Sequence, residues 1–464
     1  MNNLENIDFN SVLKKIKPTE EENEKVKSLS NRLISAINEI AKENNIDAEA
    51  VLVGSVAKGT WLSGKADVDI FIKFPLCTSE EDLKECGLFL GNRCIEKMQG
   101  KYELRYASHP YVTGFIEGFE IDFVPCYIIK SAEELKSAVD RTILHTEYVR
   151  KNLKENQKDE VLLLKKFMES IHTYSAEFKV SGFSGYLCEL LVIYYGSFLD
   201  VLKAAAEKWS PNYKIDLENY GTGELFNEPL VVIDPTDKNR NVAAALKLQK
   251  MSEFIVASRN FLNNPKKDYF FEKNIDLNLD EIKNEFKTRD TKTFLIRFKP
   301  PEIPADALYP QIKKTENSVK GVLEREDFRI FNTDSWTDEK DDVLILLEME
   351  VWKLPKVKKH LGPFVWSKSH QERFADKYGS KAYIEEDRWT AEIERKHKDV
   401  KSFLNNILNE TKIGFLKFGK HIKAEILNQY EIVDILEFLE SEEVNNDILL
   451  FFYEYLNKNV YLWR

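Results

Sequence analysis

Apolar residues recur at helical spacing early in the chain: Val26, Leu29, Leu33, Ile37 and Ile40 fall on one helix face. Thr19 followed by Glu22, just after Pro18, is a capping-box start, so a long first helix is predicted. The pattern then changes period. Val51 to Val53 is a short β-branched run stopped by Gly54-Ser55, and residues 66–74 (ADVDIFIKF) alternate as a strand. Residues 120–124 (EIDFV) read as another. From Glu160 to about Leu262 the spacing turns helical, through VLLLKKFM, YLCELLVIYY and VAAALKLQK, interrupted by a Gly-rich turn at 181–185. Beyond the polar stretch at 263–268 the order is strand (293–298), helix (about 308–323), strand (328–333) and strand (343–351), an α+β pattern. No internal repeat or low-complexity linker interrupts it.

Composition narrows the class. With 464 residues and 43% hydrophobic content, the chain is long enough for two or three domains. No run of 18 apolar residues occurs, and the first 20 carry Asp, Glu and Lys, so an unexported, cytoplasmic protein with no membrane partner is expected. The five cysteines (Cys77, Cys86, Cys94, Cys126, Cys188) have no CxxC spacing and no clustered His, which fits a reducing compartment and excludes a structural zinc site. The net charge of −11 opposes nucleic-acid binding unless basic residues are gathered locally. Residues 353–371 are such a stretch: Lys353, Lys356, Lys358, Lys359, Lys368, His360 and His370, interleaved with Phe364 and Trp366 and free of acids. Acids collect elsewhere, as at Glu437, Glu440, Glu442, Glu443 and Asp447. A solvated lysine face is the bland alternative.

The chemistry is carried by carboxylates on strands. Asp67 and Asp69, two apart in a strand, lie on one side about 7 Å from each other, and the alternating apolar residues bury the opposite face. Asp122 is framed by Ile121 and Phe123 on the next clear strand. Three converging carboxylates suit Mg²⁺, which takes its remaining ligands from water and substrate phosphates. Two such ions could activate a 3′-hydroxyl and stabilise departing pyrophosphate, which is nucleotidyl transfer. Gly54-Ser55 is expected to form the turn into a helix beginning near Val56. Its amides, the Ser55 hydroxyl and Lys58 one turn later suit a triphosphate. Each piece alone is common in surface turns and strands; their order is what points to catalysis.

Gly54-Ser55, then Asp67 and Asp69, then Asp122 resembles the signature of the polymerase-β-like nucleotidyltransferases. Residues 54–62 (GSVAKGTWL), 140–145 (DRTILH), 181–189 (SGFSGYLCE) and 234–244 (DPTDKNRNVAA) look like the archaeal-type, class I CCA-adding enzymes, as do Gly362-Pro363 and Arg388-Trp389. The resemblance implies an α+β chain with three parts. A polymerase-β-like nucleotidyltransferase head with a mixed sheet spans 1–150, a helical central domain for nucleotide and base recognition 151–270, and an α/β RNA-binding C-terminal body and tail 271–464. It implies template-independent addition of C, C and A to tRNA from CTP and ATP, with two Mg²⁺ ions held by Asp67, Asp69 and Asp122. Ser55, Lys58, Thr142, His145, Lys165 and Tyr174 match nucleotide-binding positions, and Arg240 matches the arginine that reads the incoming base with the help of tRNA backbone phosphates. The tRNA would be held by its acceptor and T arms, with Lys356, Lys358, Lys359 and Lys368 as candidate contacts. A homodimer is compatible with the sequence.

Three positions depart from the pattern: Lys58 stands where Arg is expected, Asp67 where Glu is common, and Lys381-Ala382 where Gly-Pro is usual. Read without the resemblance, His145 decorates a helix start, one of Lys165 and Lys166 is solvated, Tyr174 is a partly buried tyrosine, and Arg240 sits exposed in a polar turn. The competing functions are a poly(A) polymerase or another nucleotidyltransferase of the same superfamily, and a non-catalytic RNA-binding module.

Overall fold

The computed structural model describes residues 7–106 and 110–464, which divide into two compact units: Met1–Asn274 with Asn459–Arg464, and Ile275–Lys458.

In the first unit, helix α1 (Phe9–Ile16) is followed by the long helix α2 (Glu20–Glu43). The capping box forms as predicted, Glu22 N–H donating to Thr19 Oγ1 and Thr19 N–H to Glu22 Oε2. Strand β1 (Glu49–Val53), the short helix α3 (Gly54–Lys58), β2 (Asp67–Phe74), α4 (Glu80–Lys97), β3 (Lys101–Tyr106), β4 (Pro110–Ile116) and β5 (Phe119–Tyr127) complete the head. The sheet runs β1-β2-β5-β4-β3; β2 and β5 are parallel and every other pair antiparallel, so it is mixed. Val68, Ile70, Ile72 and Phe74 of β2 and Ile121 and Phe123 of β5 point to one face. There they are buried with Leu29, Leu33 and Ile37 of α2 and Leu90 and Cys94 of α4. At one end of the other face Phe71, Val124 and Cys126 pack with Ile143. The period-two alternation of β2 thus leaves its remaining positions, 67, 69 and 73, to the polar side chains Asp67, Asp69 and Lys73.

The rest of this unit is mainly helical: α5 (Arg141–Asn152), α6 (Glu155–Ser170), α7 (Gly185–Tyr195), α8 (Phe198–Lys208) and α9 (Leu248–Asn263). Phe167 of α6 is its aromatic centre, with the rings of Phe198, Phe254, Phe261, Tyr269 and Phe270 between 5.5 and 6.2 Å away. Two segments differ from the helical expectation. A three-stranded sheet, β6 (Tyr213–Asp216), β7 (Leu230–Asp234) and β8 (Asp237–Asn241), interrupts the helices, and the first half of VAAALKLQK is a turn, with α9 starting only at Leu248. The reason is local: Asn241 Oδ1 accepts from Val232 and Ala243 N–H, tying the strand and the following turn together in place of a helical start. Arg240 therefore lies on a strand rather than in a turn.

The second unit carries α10 (Leu279–Thr288), β9 (Lys292–Phe298), α11 (Ala305–Arg325), β10 (Arg329–Thr337), β11 (Val343–Val351), β12 (Val357–Phe364), α12 (Lys368–Tyr378), β13 (Ala382–Glu385), β14 (Arg388–Glu394), α13 (Val400–Ile407), α14 (Lys420–Asn428), β15 (Glu431–Asp434), α15 (Ile435–Phe438) and α16 (Asn446–Leu456). An antiparallel sheet β10-β11-β9-β15 is buried on both faces, and β12-β14-β13 forms a smaller sheet beside α12. Central β11 holds a buried Glu348, satisfied by Arg289, Thr291 and Tyr455. Among the described residues no single helix is long and apolar enough to cross a membrane. All five cysteines are unpaired.

Candidate active site

Asp67 and Asp69 on β2 stand opposite Glu120 and Asp122 on β5, in register across the parallel pair. Asp122 accepts from Thr113 Oγ1 of β4 at 2.6 Å. Burial raises the pKa of all three aspartates. For Asp69, burial followed by the charges of Asp122 and then Asp67 pushes it up to about 7, against the pull of Lys58. Like charges lined up this way are relieved by a bound proton or by a cation. Among the described residues no three His, Cys, Asp or Glu side chains close into a ready-made metal cage. An all-carboxylate set in register nevertheless fits Mg²⁺ in donor chemistry, because that ion usually keeps waters and binds one or two carboxylates together with substrate phosphates.

Helix α3 begins at Gly54, two residues before the expected start. Gly54 has φ +74°, and a Cβ there would lie 1.9 Å from Asp69 Oδ2. Only glycine allows both this backbone conformation and this approach. Ser55 follows in the first turn, and the Gly54 amide points to Thr146 Oγ1 at 3.4 Å. Thr146 in turn donates to the carbonyl of Thr142 on α5 at 2.8 Å, fixing Thr142 to the same corner.

Lys58 and Lys165 converge on one buried carboxylate. Lys58 Nζ donates to Glu189 Oε2 at 2.6 Å, Thr60 Oγ1 to Glu189 Oε1 at 2.5 Å, and Lys165 Nζ lies 3.6 Å from the same side chain while donating to the Thr60 carbonyl at 2.8 Å. Burial works to neutralise Glu189, but the two lysines hold its pKa below the ordinary value; burial lowers that of Lys165. Two cations on one anion leave a net positive corner. Tyr174 joins it: a Cβ on Gly185 would meet Tyr174 Oη at 3.1 Å and Lys165 Nζ at 3.4 Å. Lys166, by contrast, turns away to Glu169.

A second buried carboxylate organises His145 and Arg240. Asp234, fully buried at the end of β7, accepts from Arg240 Nη1 at 2.9 Å and from Thr236 N–H and Oγ1, and lies 2.8 Å from His145 Nε2. Burial opposes its charge, yet these bonds, His145 foremost, keep its pKa well below the carboxylate range. Burial also lowers the pKa of His145, outweighing Asp234. A neutral imidazole giving its Nε2 proton to Asp234 leaves Nδ1 as an acceptor. Tyr186 stacks on His145 at 3.9 Å, its hydroxyl 3.3 Å from Asp234, and Lys58 Nζ lies 5.9 Å from the Tyr186 ring, linking the two clusters.

The structure thus gathers Lys58, Lys165 and Tyr174 around Glu189, and His145 and Arg240 around Asp234. Glu189, Asp234, Tyr186 and Thr113 were not singled out from sequence. The signal was present for two of them. Glu189 is an acid inside the apolar run YLCELLVIYY, and Asp234 ends the apolar run LVVI.

In the second unit, the candidate RNA-contacting lysines lie just before β12 (Lys356), on β12 (Lys358, Lys359) and at the start of α12 (Lys368). The stretch is free of acids in sequence but not in space. Lys356 pairs with Glu394 at 3.0 Å, Lys358 with Glu326 at 3.7 Å and Lys359 with Glu385, because β14, the end of α11 and β13 supply these carboxylates. Lys368 has no ion-pair partner among the described residues. Nearby, Trp366 is 69% exposed, its ring 5.0 Å from Phe364, and the Arg388 guanidinium lies 3.7 Å over Phe364.

Residues 34–145 match the profile of the nucleotidyltransferase domain, 159–271 that of the tRNA nucleotidyltransferase second domain, and 289–434 that of the CCA-adding enzyme C-terminal domain. The chain is 51% identical over 450 residues to the CCA-adding enzyme of Methanothermobacter thermautotrophicus, covering 97% of this chain and 98% of that protein. This chain belongs to the CCA-adding enzyme family. Other members are the CCA-adding enzymes of Methanosarcina barkeri, 40% identical over 91% of this chain and 93% of that protein, and of Methanocaldococcus jannaschii, 39% identical over 86% and 89%. Two of the three family profiles fall on the site: the first on the sheet bearing Asp67, Asp69 and Asp122, the second on the helices and strands bearing Lys165, Glu189, Asp234 and Arg240.

Proposed function

We propose that this CCA-adding enzyme completes the 3′ end of tRNA by adding C, C and A without a nucleic-acid template, taking CTP and ATP as substrates. The observation that carries the reading is the pairing of an aspartate cluster with a lysine corner around one glycine turn: Asp69 and Asp122 in register beside Gly54, with Lys58 and Lys165 behind it.

Asp67, Asp69 and Asp122 would hold Mg²⁺, which supplies Lewis-acid activation of the attacking 3′-hydroxyl and charge neutralisation on the leaving pyrophosphate. Lys58 and Lys165 bind the triphosphate, and Glu189 holds their ammonium groups in place while cancelling only one of the two charges. Ser55 and Tyr174 contribute hydroxyls at the same corner. His145, oriented by Asp234, offers Nδ1 to a sugar hydroxyl, with Thr142 alongside. Arg240 spends one N–H on Asp234 and keeps the other donors of its fork for the base. Cytosine O2 and N3 or adenine N1 can accept from such a fork, whereas guanine and uracil present N–H groups there. One pocket therefore serves both nucleotides. Phosphate contacts from Lys368, which no carboxylate answers among the described residues, supply attraction for the acceptor and T arms, while Lys356, Lys358 and Lys359 contribute only by exchanging Glu394, Glu326 and Glu385 for phosphate.

The test is to incubate the protein with Mg²⁺ and a tRNA ending at the discriminator base, with CTP, ATP or both, and to sequence the products. Two added cytidines with CTP alone and CCA with both nucleotides are expected. Long A tails, or an unextended tRNA, would overturn the reading.

A further inference from the structure

The second unit holds a cavity of about 590 Å³ between α11, α13 and the small sheet, well away in the chain from every residue of the aspartate and lysine clusters. Its walls carry Arg325, Lys358, Lys377, Arg395, Lys396 and Lys412, against only two acids, Glu326 and Glu394. Lys358 is answered by Glu326, and Arg395 by Asp327 at 2.7 Å. Arg325, Lys377, Lys396 and Lys412 have no carboxylate partner within 4 Å among the described residues. Gathering like charges around one concavity costs free energy that the fold does not recover internally.

Arg395 sharpens the point. Its side chain is 12% exposed, one end of the guanidinium is fixed by Asp327, and its Nε–H is buried without a hydrogen-bond partner. A buried donor left unmade costs about 1–3 kcal/mol unless something accepts from it. A guanidinium held at one end, with ammonium groups lining the same cavity, is a donor set that recognises a tetrahedral polyanion. Aromatic side chains share the wall: the His360 ring stands 5.4 Å from Tyr378, and His397 stands 5.8 Å from Phe403. The volume is that of a site for a ligand the size of a nucleotide.

We propose that this cavity is a phosphate-binding site, distinct from the site of nucleotidyl transfer, that takes a phosphate group carried either by an RNA backbone, a source that rests on the tRNA reading above, or by a free polyphosphate. The cations bind the phosphate oxygens, and the aromatic wall accommodates the sugar or base attached to them.

The probe is inorganic tripolyphosphate, titrated calorimetrically into the full-length protein in EDTA, so that metal-dependent binding elsewhere is suppressed. The variant is the double substitution Lys377→Gln and Lys396→Gln, both exposed side chains whose loss leaves the core intact. A control, Lys340→Gln with Lys420→Gln, removes the same charge from exposed positions of the same unit outside the cavity. The cavity variant is expected to bind tripolyphosphate about tenfold or more weakly, the control to match the wild type. If the cavity variant also binds tRNA more weakly and its log affinity falls with log salt by about one unit less, the phosphate comes from RNA. If tRNA binding is unchanged, the ligand is a free polyphosphate. Unchanged tripolyphosphate affinity in the cavity variant, or an equal loss in the control, overturns the proposal.

Discussion

Two buried carboxylates, Glu189 and Asp234, set the chemistry of their neighbours more than those neighbours do themselves. Glu189 gives a fixed address to Lys58, Lys165 and Thr60, and Asp234 to His145, Arg240 and Thr236. Burial lowers the pKa of His145 in the folded protein, so around the usual imidazole pKa the unfolded chain binds more protons at this residue than the folded one. Stability therefore rises with pH there and is lost on acidification. The urea midpoint of the wild type is expected to fall further between about pH 7.5 and about pH 5.5 than that of His145→Asn. Equal falls would mean that His145 binds its proton as readily in the folded chain as in the unfolded one. At the aspartates, Asp69→Asn removes one anion of the set while leaving the strand intact. Single-turnover incorporation should drop by about a thousandfold with tRNA affinity nearly unchanged; activity close to wild type would reject Asp69 as a metal ligand.

At the scale of elements, the β1–α3 turn does what neither element could do alone, bringing the start of the helix against Asp69. Gly54→Ala forces a left-handed backbone on an L-residue, costing about 1–2 kcal/mol, and sets a methyl against Asp69 Oδ2. The expected result is a modest fall in melting temperature with a loss of about a hundredfold in kcat, since a displacement of an ångström at a reacting centre has that effect. A stability loss without a kcat loss would mean that Asp69 moves aside harmlessly. Along β12 and at the start of α12, the pairing of strands decides which lysines carry an uncompensated charge. Lys359 is neutralised by Glu385, whereas Lys368 is unpaired, so Lys368→Gln should weaken tRNA binding in a filter assay more than Lys359→Gln. The reverse order would move the RNA contact onto the strand.

At the scale of the whole molecule, each unit has its own core, the Phe167 aromatic cluster in one and the sheet around β11 in the other. The chain leaves the first unit at Asn274 and returns to it at Asn459. Tyr461 then stacks on His172 at 3.6 Å, the Leu462 carbonyl accepts from Asn260 at 3.0 Å, and Arg464 reaches the Ser170 carbonyl. Removal of Asn459–Arg464 should destabilise the first unit by about 3 kcal/mol, from about 1 kcal/mol for each of these two hydrogen bonds and about 1 kcal/mol for the ring stack. Chemical denaturation read in that unit, for instance by CTP binding, checks this. A loss confined to the second unit would contradict the division.

The sequence by itself determined the elements whose signals are local. Thr19 and Glu22 cap a helix because their side chains reach backbone groups three residues away, and Asp67 and Asp69 share a face because a strand has period two. The motif strings determined the family for the same reason: backbone-dictated glycines and reactive side chains sit at fixed chain positions. Tertiary structure alone decided what depends on partners distant in the chain. The strands at 213–241 were hidden because Asn241 and its bonds to Val232 and Ala243 override the apolar run that follows. The roles of Glu189 and Asp234 were hidden because each is defined by cations contributed from other elements, as far as 131 residues away for Lys58. The basic stretch at 353–371 was overstated for the same reason, since charge patterning along a chain says nothing of the glutamates that β14, β13 and α11 bring alongside.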